Sequence, residues 1–285
     1  MTLTVALPNK GALAEGAASI FKAAGYRLRT DARDLSYIDT AADVEFVYLR
    51  PRDIATYVAS GEIDLGVTGR DLLVDSGTKT QEVLALDFGK SQFRFAGPEH
   101  LVSSGNLSEE RLAGKRIATS YPQIVKEYLA SRSILAEIVR LDGAVEGAIK
   151  LGVADLIADV VSTGNTLKQA SLKVFGVPLL QSEAILIARS GRDRGDFSQM
   201  LRRVEGVVIA RQYVLVDYDV TEENLAAACE ITPGLESPTV SPLHKPGWVA
   251  VRAMVKQSEI HDVMDRLWEV GARGILVTDL HLSRL

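Results

Sequence analysis

The chain has 285 residues, 47% of them hydrophobic, so it is long enough to form two or three hydrophobic cores. Its net charge of −5, from 32 basic and 37 acidic residues, argues against broad nucleic-acid binding. The single cysteine, Cys229, excludes an internal disulfide and fits a reducing cytoplasm, and the four histidines show no metal-ligand spacing. We expect no membrane segment and no export signal, because no apolar run has membrane-spanning length and MTLTVALPNK lacks a charged-then-apolar segment.

The first part of the chain alternates short apolar runs with helical patterns. Each run is followed by a polar loop and then by a helix. The predicted strands cover residues 3–7, 44–49 and 63–67. This alternation predicts a parallel sheet with helices on both faces.

Basic residues follow all of these strands. They are, in chain order, Lys10, Arg50, Arg52 and Arg70. In open α/β sheets, the loops at the carboxyl ends of the strands line the ligand crevice. A solvated surface position would explain any one of these side chains, but their coincidence at equivalent positions favours a cleft for a polyanion.

A second α/β unit is expected to begin near residue 91. Its predicted strands cover residues 116–120, 138–141 and 156–161. The apolar run 184–188 is then predicted to return to the first unit. Two α/β lobes joined by crossing strands are the architecture of periplasmic binding proteins, with ligand between the lobes. We therefore expect lobe I to comprise residues 1–90 with 182–205, and lobe II to comprise residues 91–181.

The pattern changes at Gly206, where a third module is expected to begin. The predicted elements are a strand at 207–216, a helix at 221–231, a hairpin at 238–243 and 248–255, a helix at 258–270 and a strand at 274–280. The order βαββαβ predicts a ferredoxin-like domain over residues 206–285. Many unrelated proteins use this fold, so it does not indicate a function.

The most informative stretch is EGAIKLGVADLIADVVSTGNTL, residues 146–167. Its apolar run predicts a buried strand, followed by a polar loop with one glycine and by a helix. Unpaired N–H groups at a helix start bind anions, and the hydroxyls of Ser162, Thr163 and Thr166 add donors. Gly164 would let the backbone approach a phosphate.

Asp159 is the unexpected member of this stretch, because a carboxylate repels a phosphate. It makes sense if it accepts hydrogen bonds from ribose hydroxyls or faces a metal ion. The alternative is an ordinary βα turn with a Ser or Thr cap and a buried Asp bonded to backbone. The loop alone does not decide between these two interpretations.

The same stretch resembles the signature of the ATP phosphoribosyltransferases, which catalyse the first step of histidine biosynthesis. The family shows Glu, then Gly and a small residue, then an apolar-flanked Asp, then Ser/Thr-Gly-x-Thr-Leu. The matching positions, without departure, are Glu146, Gly152, Ala154, Asp159, Thr163, Gly164, Thr166 and Leu167. The similarity extends over the whole chain: PNKG, LRPRD and TGRD resemble the family's substrate-binding loops, and ITPGLESPTV resembles its feedback loop.

The resemblance implies an enzyme that condenses ATP with 5-phosphoribosyl 1-diphosphate to N1-(5-phosphoribosyl)-ATP and diphosphate, with Mg2+ as cofactor. The residues that it implies for catalysis are Lys10, Arg50, Arg70, Glu146 and Asp159. Those for binding 5-phosphoribosyl 1-diphosphate are Asp159, Ser162, Thr163, Gly164, Asn165 and Thr166. Those for ATP are Lys10, Gly11, Arg50, Asp71, Arg94 and Tyr121. Mg2+ is expected mainly on the substrate, with Glu146 as a possible protein ligand.

The C-terminal module implies the long form of the family, which works without a second polypeptide and is inhibited by histidine. The residues expected to bind histidine are Asp217, Leu235, Ser237 and Thr239. We expect Asp217, on the first strand of the module, to lie near the turn that carries the other three. The resemblance also implies inhibition by AMP, a homo-oligomer between a dimer and a hexamer, and a cytoplasmic location.

Other classes of protein share parts of this pattern. The main alternative is a cytoplasmic two-lobed protein that binds or senses a small anion without catalysis, but such a sensor would not need Asp159 beside a phosphate loop. A secreted binding protein would need a signal segment, and a transcriptional regulator would need a helix-turn-helix segment. The N-terminal stretch is instead predicted to be a core strand.

Overall fold

The computed structural model describes residues 2–162 and 164–284. Thr163, one of the predicted phosphate-binding residues, lies outside the described residues. The chain forms two compact units, Met1–Ser19 with Arg27–Asp196, and Ile20–Tyr26 with Phe197–Leu285.

The strands and helices of the described residues alternate along most of the chain. The strands are β1 (Leu3–Pro8), β2 (Ser36–Asp39), β3 (Val44–Leu49), β4 (Leu65–Gly69), β5 (Thr80–Ala85), β6 (Ser91–Pro98), β7 (Arg116–Thr119), β8 (Glu137–Arg140), β9 (Leu156–Val161), β10 (Leu172–Ser182), β11 (Ala184–Arg189), β12 (Tyr213–Thr221), β13 (Thr239–Pro242), β14 (Trp248–Lys256) and β15 (Arg273–Asp279). The α-helices are α1 (Ala12–Ala23), α2 (Pro51–Ser60), α3 (Arg70–Ser76), α4 (Glu99–Ser103), α5 (Pro122–Ser131), α6 (Gly147–Lys150), α7 (Asn165–Gln169), α8 (Ser198–Gln212), α9 (Leu225–Ile231) and α10 (Ile260–Glu269).

The first sheet of the first unit has the strand order β2-β3-β1-β4-β11-β5. β1 lies between β3 and β4 and is parallel to both, as the βα pattern predicts. Val5, Ala6 and Leu7 of β1 are fully or almost fully buried, because helices cover a parallel sheet on both faces. The carboxyl ends of β1, β3 and β4 therefore carry their loops to one edge of the sheet.

The second sheet of the same unit has the order β10-β6-β9-β7-β8. β9, β7 and β8 are parallel, β6 is antiparallel to β9, and β10 is antiparallel to β6. Its core contains Phe93, Phe95 and Leu156, which are fully buried. The chain passes from one sheet to the other twice, between β5 and β6 and between β10 and β11. The predicted architecture of two α/β lobes joined by crossing strands is confirmed.

The second unit contains a four-stranded sheet with the order β13-β14-β12-β15, antiparallel throughout. Alternate residues of β12 are buried and pack with residues of α9 and α10, so both helices cover the same face. This is the predicted ferredoxin-like βαββαβ arrangement, and it is confirmed.

One predicted element is wrong. Residues 207–212, expected to begin a strand, form the last turns of α8, and β12 begins at Tyr213. The apolar run Val207, Val208 and Ile209 fits a strand or a helix face equally well, and the burial of Val204 and Val208 follows the helical spacing. No helix in residues 2–162 and 164–284 is both long enough and apolar enough to cross a membrane.

Candidate active site

Asp159 lies on β9, the central strand of the second sheet. Its Oδ1 accepts a hydrogen bond from the N–H of Val160 at 2.8 Å. Burial raises the pKa of the Asp159 carboxyl above its ordinary value, and the charges of Glu146 and Asp71 raise it further, while Arg52 opposes them. Carboxylates of both lobes are thus within electrostatic reach of Asp159.

The loop after β9 leads directly into α7. Gly164 has a φ of 72°, in the left-handed region, and a Cβ there would meet only Val161, at 3.9 Å. Backbone conformation, rather than lack of space, therefore requires glycine at this position. Ser162, Asn165 and Thr166 are exposed, so their polar groups are accessible to a ligand.

A cavity of about 810 Å³ opens beside this loop. Its volume is within the range of about 300–1,000 Å³ that is usual for small-molecule sites. Ser162 and Gly164 line part of it. The basic side chains that line it are Arg70, Lys90, Arg94, Lys168 and Lys173. The acidic ones are Glu99 and Glu183. The excess of basic groups makes the cavity suitable for a polyanion.

Arg94 is held rigidly at the wall of this cavity. One terminal nitrogen donates to Oε1 of Gln92 at 3.0 Å, and the other donates to the carbonyl of Gly176 at 2.6 Å. Its Nε is buried and has no hydrogen-bond partner among the described residues. None of these contacts is with a carboxylate, so the positive charge of Arg94 remains available to a ligand.

Arg70 also lines the cavity, but its charge is already balanced. Its guanidinium forms ion pairs with Glu82 at 2.7 Å and with Glu183 at 3.2 Å. The hydrogen bond with Glu82 is the main reason that the pKa of Arg70 is raised. A phosphate that binds Arg70 must therefore compete with two carboxylates.

Asp71 and Tyr121 come from different lobes and lie close together. The N–H of Asp71 donates to the hydroxyl of Ser182 at 3.0 Å, and this hydroxyl donates to Oδ1 of Asp71 at 2.7 Å. The ring of Tyr121 packs edge-on against Phe93, with centroids 5.3 Å apart. Burial, and then the charge of Asp71, raise the pKa of Tyr121, so its hydroxyl stays protonated.

Lys10, Gly11 and Arg50 lie beyond the ends of two neighbouring strands. β1 and β3 pair as far as Pro8 and Leu49, so the loops that follow these strands are adjacent. All three residues are exposed, and none of them lines the 810 Å³ cavity. The structure thus divides the predicted basic residues between this cavity and a separate solvent-facing pair of loops.

Among the residues that the structure describes, no group of three or more His, Cys, Asp or Glu side chains is arranged to hold a metal ion. Glu146, which precedes α6, acts on Asp159 through its charge.

Comparison with known proteins shows the family to which this chain is related. Residues 50–206 match the family model described as ATP phosphoribosyltransferase, and residues 210–282 match the model described as HisG, C-terminal domain. A relative named ATP phosphoribosyltransferase from Nocardia farcinica is 56% identical over 284 residues, which is 99% of each chain. Another of the same name from Salinispora tropica is 54% identical and covers 99% of this chain and 100% of its own.

The chain belongs to the ATP phosphoribosyltransferase family. Its activity is therefore that of a transferase of histidine biosynthesis. Among solved structures, it is similar to one titled "ATP phosphoribosyl transferase (HisG:HisZ) complex from Thermotoga maritima", with a TM-score of 0.62 and 27% identity. That similarity covers 73% of this chain and 98% of that one.

In the C-terminal domain, one strand separates Asp217 from Thr239. β13 does not pair with β12, because β14 lies between them. Asp217 and Thr239 are both opposite Arg252, on its two sides, and the Asp217 carboxylate forms an ion pair with Arg252 at 2.7 Å. Leu235 and Ser237 are exposed in the turn before β13. A cation therefore already lies between the residues predicted to bind histidine.

Some polar residues of the site cannot be found from local sequence patterns. Ser182 reaches Asp71 across 111 positions, and Asp75 reaches Gln123 across 48. Arg52 follows a strand, like the other basic residues, but only the fold shows that it lies over the ring of Tyr121 at 4.7 Å. The sequence offers one signal for the contact between Arg52 and Tyr121: each residue follows the carboxyl end of a predicted strand.

Proposed function

We propose that this chain catalyses attack of N1 of the ATP adenine on C1 of 5-phosphoribosyl 1-diphosphate. The N1–C1 bond forms while the bond between C1 and the diphosphate oxygen breaks, which gives N1-(5-phosphoribosyl)-ATP and diphosphate. Membership of the ATP phosphoribosyltransferase family supports the reaction. The observation that carries the assignment of the site is the basic cavity beside the Gly164 loop and the buried Asp159.

The proposed roles follow from charge and position. The loop that contains Ser162, Thr163, Gly164, Asn165 and Thr166 binds the 5-phosphate through backbone N–H and hydroxyl groups, and the left-handed Gly164 keeps its backbone accessible. Asp159, as a carboxylate, accepts hydrogen bonds from the ribose hydroxyls. Both substrates are polyanions, so most of the rate gain should come from positioning them and from offsetting their repulsion.

Two groups of residues are proposed to bind the remaining phosphates and the adenine. Arg94 faces phosphates in the cavity, because its charge is not paired with a carboxylate. Lys10, Gly11 and Arg50 bind from the exposed loops after β1 and β3. Arg70, Asp71 and Tyr121 complete the ATP side, with Arg70 partly neutralised by its two glutamates.

We propose Mg2+ as the cofactor, carried mainly by the diphosphate of the substrate. Bound there, it would neutralise charge that develops on the departing diphosphate. The pKa of Asp159 is raised first by burial and then by the charges of Glu146 and Asp71, which supports a cation nearby. Glu146 and Asp159 are the residues that would face it.

The chain is proposed to work without a second polypeptide. The solved relative from Thermotoga maritima is described as a complex of two proteins, and its similarity covers 73% of this chain. This chain also carries residues 210–282, which match the separate C-terminal domain model. We therefore propose the long form, with lobe I at residues 1–90 and 182–205, lobe II at 91–181 and a regulatory domain at 206–285.

Regulation and assembly are also part of the proposal. Histidine would bind at Asp217, Leu235, Ser237 and Thr239 and AMP would compete at the substrate site. The chain would act as a homo-oligomer in the cytoplasm. Histidine inhibition would then be a coupling between two sites, typically about 1–3 kcal/mol.

The test uses the purified chain alone with ATP, 5-phosphoribosyl 1-diphosphate and Mg2+, followed by ultraviolet absorbance as the adenine is alkylated. We expect absorbance to rise only when both substrates and Mg2+ are present, and to stop when diphosphate product accumulates. Turnover that appears only after a second polypeptide is added would contradict the long-form proposal. Absence of turnover in both cases would contradict the reaction.

A further inference from the structure

Helix α5 begins without a hydrogen-bond acceptor from its own segment. Tyr121 occupies its N-cap position but makes no side-chain capping bond. The acceptor comes instead from Asp75 of α3, whose Oδ1 accepts the N–H of Gln123 at 2.9 Å. Because α3 follows β4 of the first sheet and α5 follows β7 of the second, the cap joins the two lobes. A carboxylate at a helix start is favourable both as an acceptor and through the helix dipole.

The second oxygen of the same carboxylate is also used. Oδ2 of Asp75 forms an ion pair with Arg52 at 2.8 Å, and the Asp75 side chain is only 6% exposed. The guanidinium of Arg52 also lies 4.7 Å from the ring centre of Tyr121. Asp75, Arg52, Tyr121 and Gln123 therefore form one connected set, which we call the interlobe clasp.

The clasp is connected to the candidate site through the charge of Arg52. Arg52 lowers the pKa of Asp159 and that of Tyr121, which places its charge within electrostatic reach of both. Tyr121 in turn interacts with Asp71. A change in the clasp would thus shift the loops of one lobe relative to those of the other, and small displacements of reacting groups are costly for catalysis.

We propose that Asp75 is a positioning residue: by capping α5 of one lobe while it holds Arg52 of the other, it sets the separation of the two lobes that the transfer reaction needs. This inference rests on the proposed function for its kinetic consequence. It assigns Asp75 no contact with substrate. The observation that carries it is a nearly buried carboxylate with both oxygens occupied, one by Gln123 of the other lobe and one by Arg52 of its own lobe.

The chain contains a matched pair that does not cross between lobes. Asp155 accepts the backbone N–H of Arg116 at 2.8 Å and forms an ion pair with the guanidinium of Arg116 at 2.9 Å. Both residues belong to the second sheet and its adjoining loop. Asp155→Ala therefore removes the same two kinds of contact as Asp75→Ala, but within one lobe.

The kinetic test compares these variants with the wild type under saturating Mg2+. We expect Asp75→Ala to lower kcat/KM for both substrates at least about tenfold, and Asp155→Ala to change it less than about twofold. Asp75→Asn should give an intermediate loss, because its amide oxygen still accepts the Gln123 N–H but carries no charge for Arg52. If the clasp acts as a unit, Arg52→Gln combined with Asp75→Ala should be no worse than Asp75→Ala alone.

A second readout does not require activity. Hydrogen exchange of the α5 start, followed in peptides that contain Gln123, should accelerate in Asp75→Ala and remain at the wild-type rate in Asp155→Ala. Equal kinetic losses in the two alanine variants, or unchanged exchange at α5 in Asp75→Ala, would overturn the proposal. An inactive wild type would instead contradict the proposed function, and the exchange experiment would still test the clasp.

Discussion

Asp159 on β9 and Asp217 on β12 are both half-buried carboxylates inside a sheet, but their surroundings differ. Asp217 lies opposite Arg252 and forms an ion pair with it at 2.7 Å. Within the part of the chain that the structure describes, no basic side chain is within ion-pair distance of Asp159, and its identified hydrogen-bond donor is the adjacent N–H of Val160. Burial raises the pKa of Asp159 as a result.

The difference supports the proposed assignment of Asp159 to the active site. A buried carboxylate without a cation destabilises the fold, and such groups occur preferentially where a ligand or substrate completes the site. The ion pair at Asp217 is more exposed and internally neutral, so a ligand there must displace or join Arg252. The first unit thus keeps an uncompensated charge at its site, and the C-terminal domain does not.

The largest effect is expected for Gly164→Val, which would break the loop beside Asp159. The variant places a β-branched side chain at a φ of 72° and shields the backbone from the 5-phosphate. We expect kcat/KM for 5-phosphoribosyl 1-diphosphate to fall by about 100-fold, measured by the absorbance assay.

Gly105→Val is the control for backbone strain. Gly105 has a φ of 73°, and a Cβ there would meet no heavy atom within 4 Å. The two variants should lose similar stability, about 1–2 kcal/mol, but only Gly164→Val should lose substrate affinity. Equal kcat/KM in the two variants would show that the Gly164 loop is an ordinary turn that does not bind the substrate.

The next effect concerns the charge of Asp159. If the ionised carboxylate accepts ribose hydroxyls, Asp159→Asn should lower kcat/KM by about 10–100-fold at pH 8, the range expected for hydrogen bonds to a charged group. Because its pKa is raised, wild-type activity should begin to fall at a higher pH than an ordinary Asp would cause. The variant should lack this acidic decline, and an identical pH profile in both proteins would contradict the role.

A smaller effect tests the other aspartate. Asp217→Ala should leave turnover unchanged and raise the histidine concentration needed for half inhibition about tenfold, since a hydrogen bond to a charged group, worth about 1.5 kcal/mol of histidine binding, would be lost. Arg252→Gln is the matched control for Asp217→Ala, because it removes the ion pair but keeps the Asp217 carboxylate. Inhibition should persist in Arg252→Gln. Wild-type histidine sensitivity in Asp217→Ala would exclude Asp217 from the site.

The smallest effect is on stability, and its sign differs between the two aspartates. Folding raises the pKa of Asp159, so the folded state is penalised when this group is ionised, above the folded pKa. Asp159→Asn should therefore increase the thermal midpoint at pH 8, and the gain should disappear below pH about 4. Asp217→Asn should lower stability by less than about 1 kcal/mol, because its ion pair is exposed to solvent. A decrease for Asp159→Asn at pH 8 would contradict the charge imbalance.

Much of the fold can be predicted because its strands are short apolar runs bounded by loops. The predicted strand at residues 44–49 coincides with β3, and the order βαββαβ of the C-terminal domain is correct. The end of α8 could not be predicted, because Val207, Val208 and Ile209 suit either element. β2 and β5 were also missed, since neither has a continuous apolar run.

From the sequence, the loops of the candidate site could be predicted, but the contacts between them could not. The spacing of Asp159 and Gly164 is local, so the family signature predicts both as site residues. The pairing of Arg70 with Glu82 and Glu183, and that of Asp75 with Gln123, join distant segments and depend on how the lobes pack. The insertion of β14 between Asp217 and Thr239 likewise follows from strand order, which hydrophobic patterning does not encode.

The most direct test of the charge contrast is calorimetric titration of 5-phosphoribosyl 1-diphosphate with Mg2+ into the wild type, Asp159→Asn and Asp217→Asn at pH 8. If the Asp159 carboxylate accepts hydrogen bonds from the ribose hydroxyls, the dissociation constant for 5-phosphoribosyl 1-diphosphate should rise at least about tenfold in Asp159→Asn. It should be unchanged in Asp217→Asn. Wild-type affinity in Asp159→Asn, or an equal loss in both variants, would contradict that role of the carboxylate.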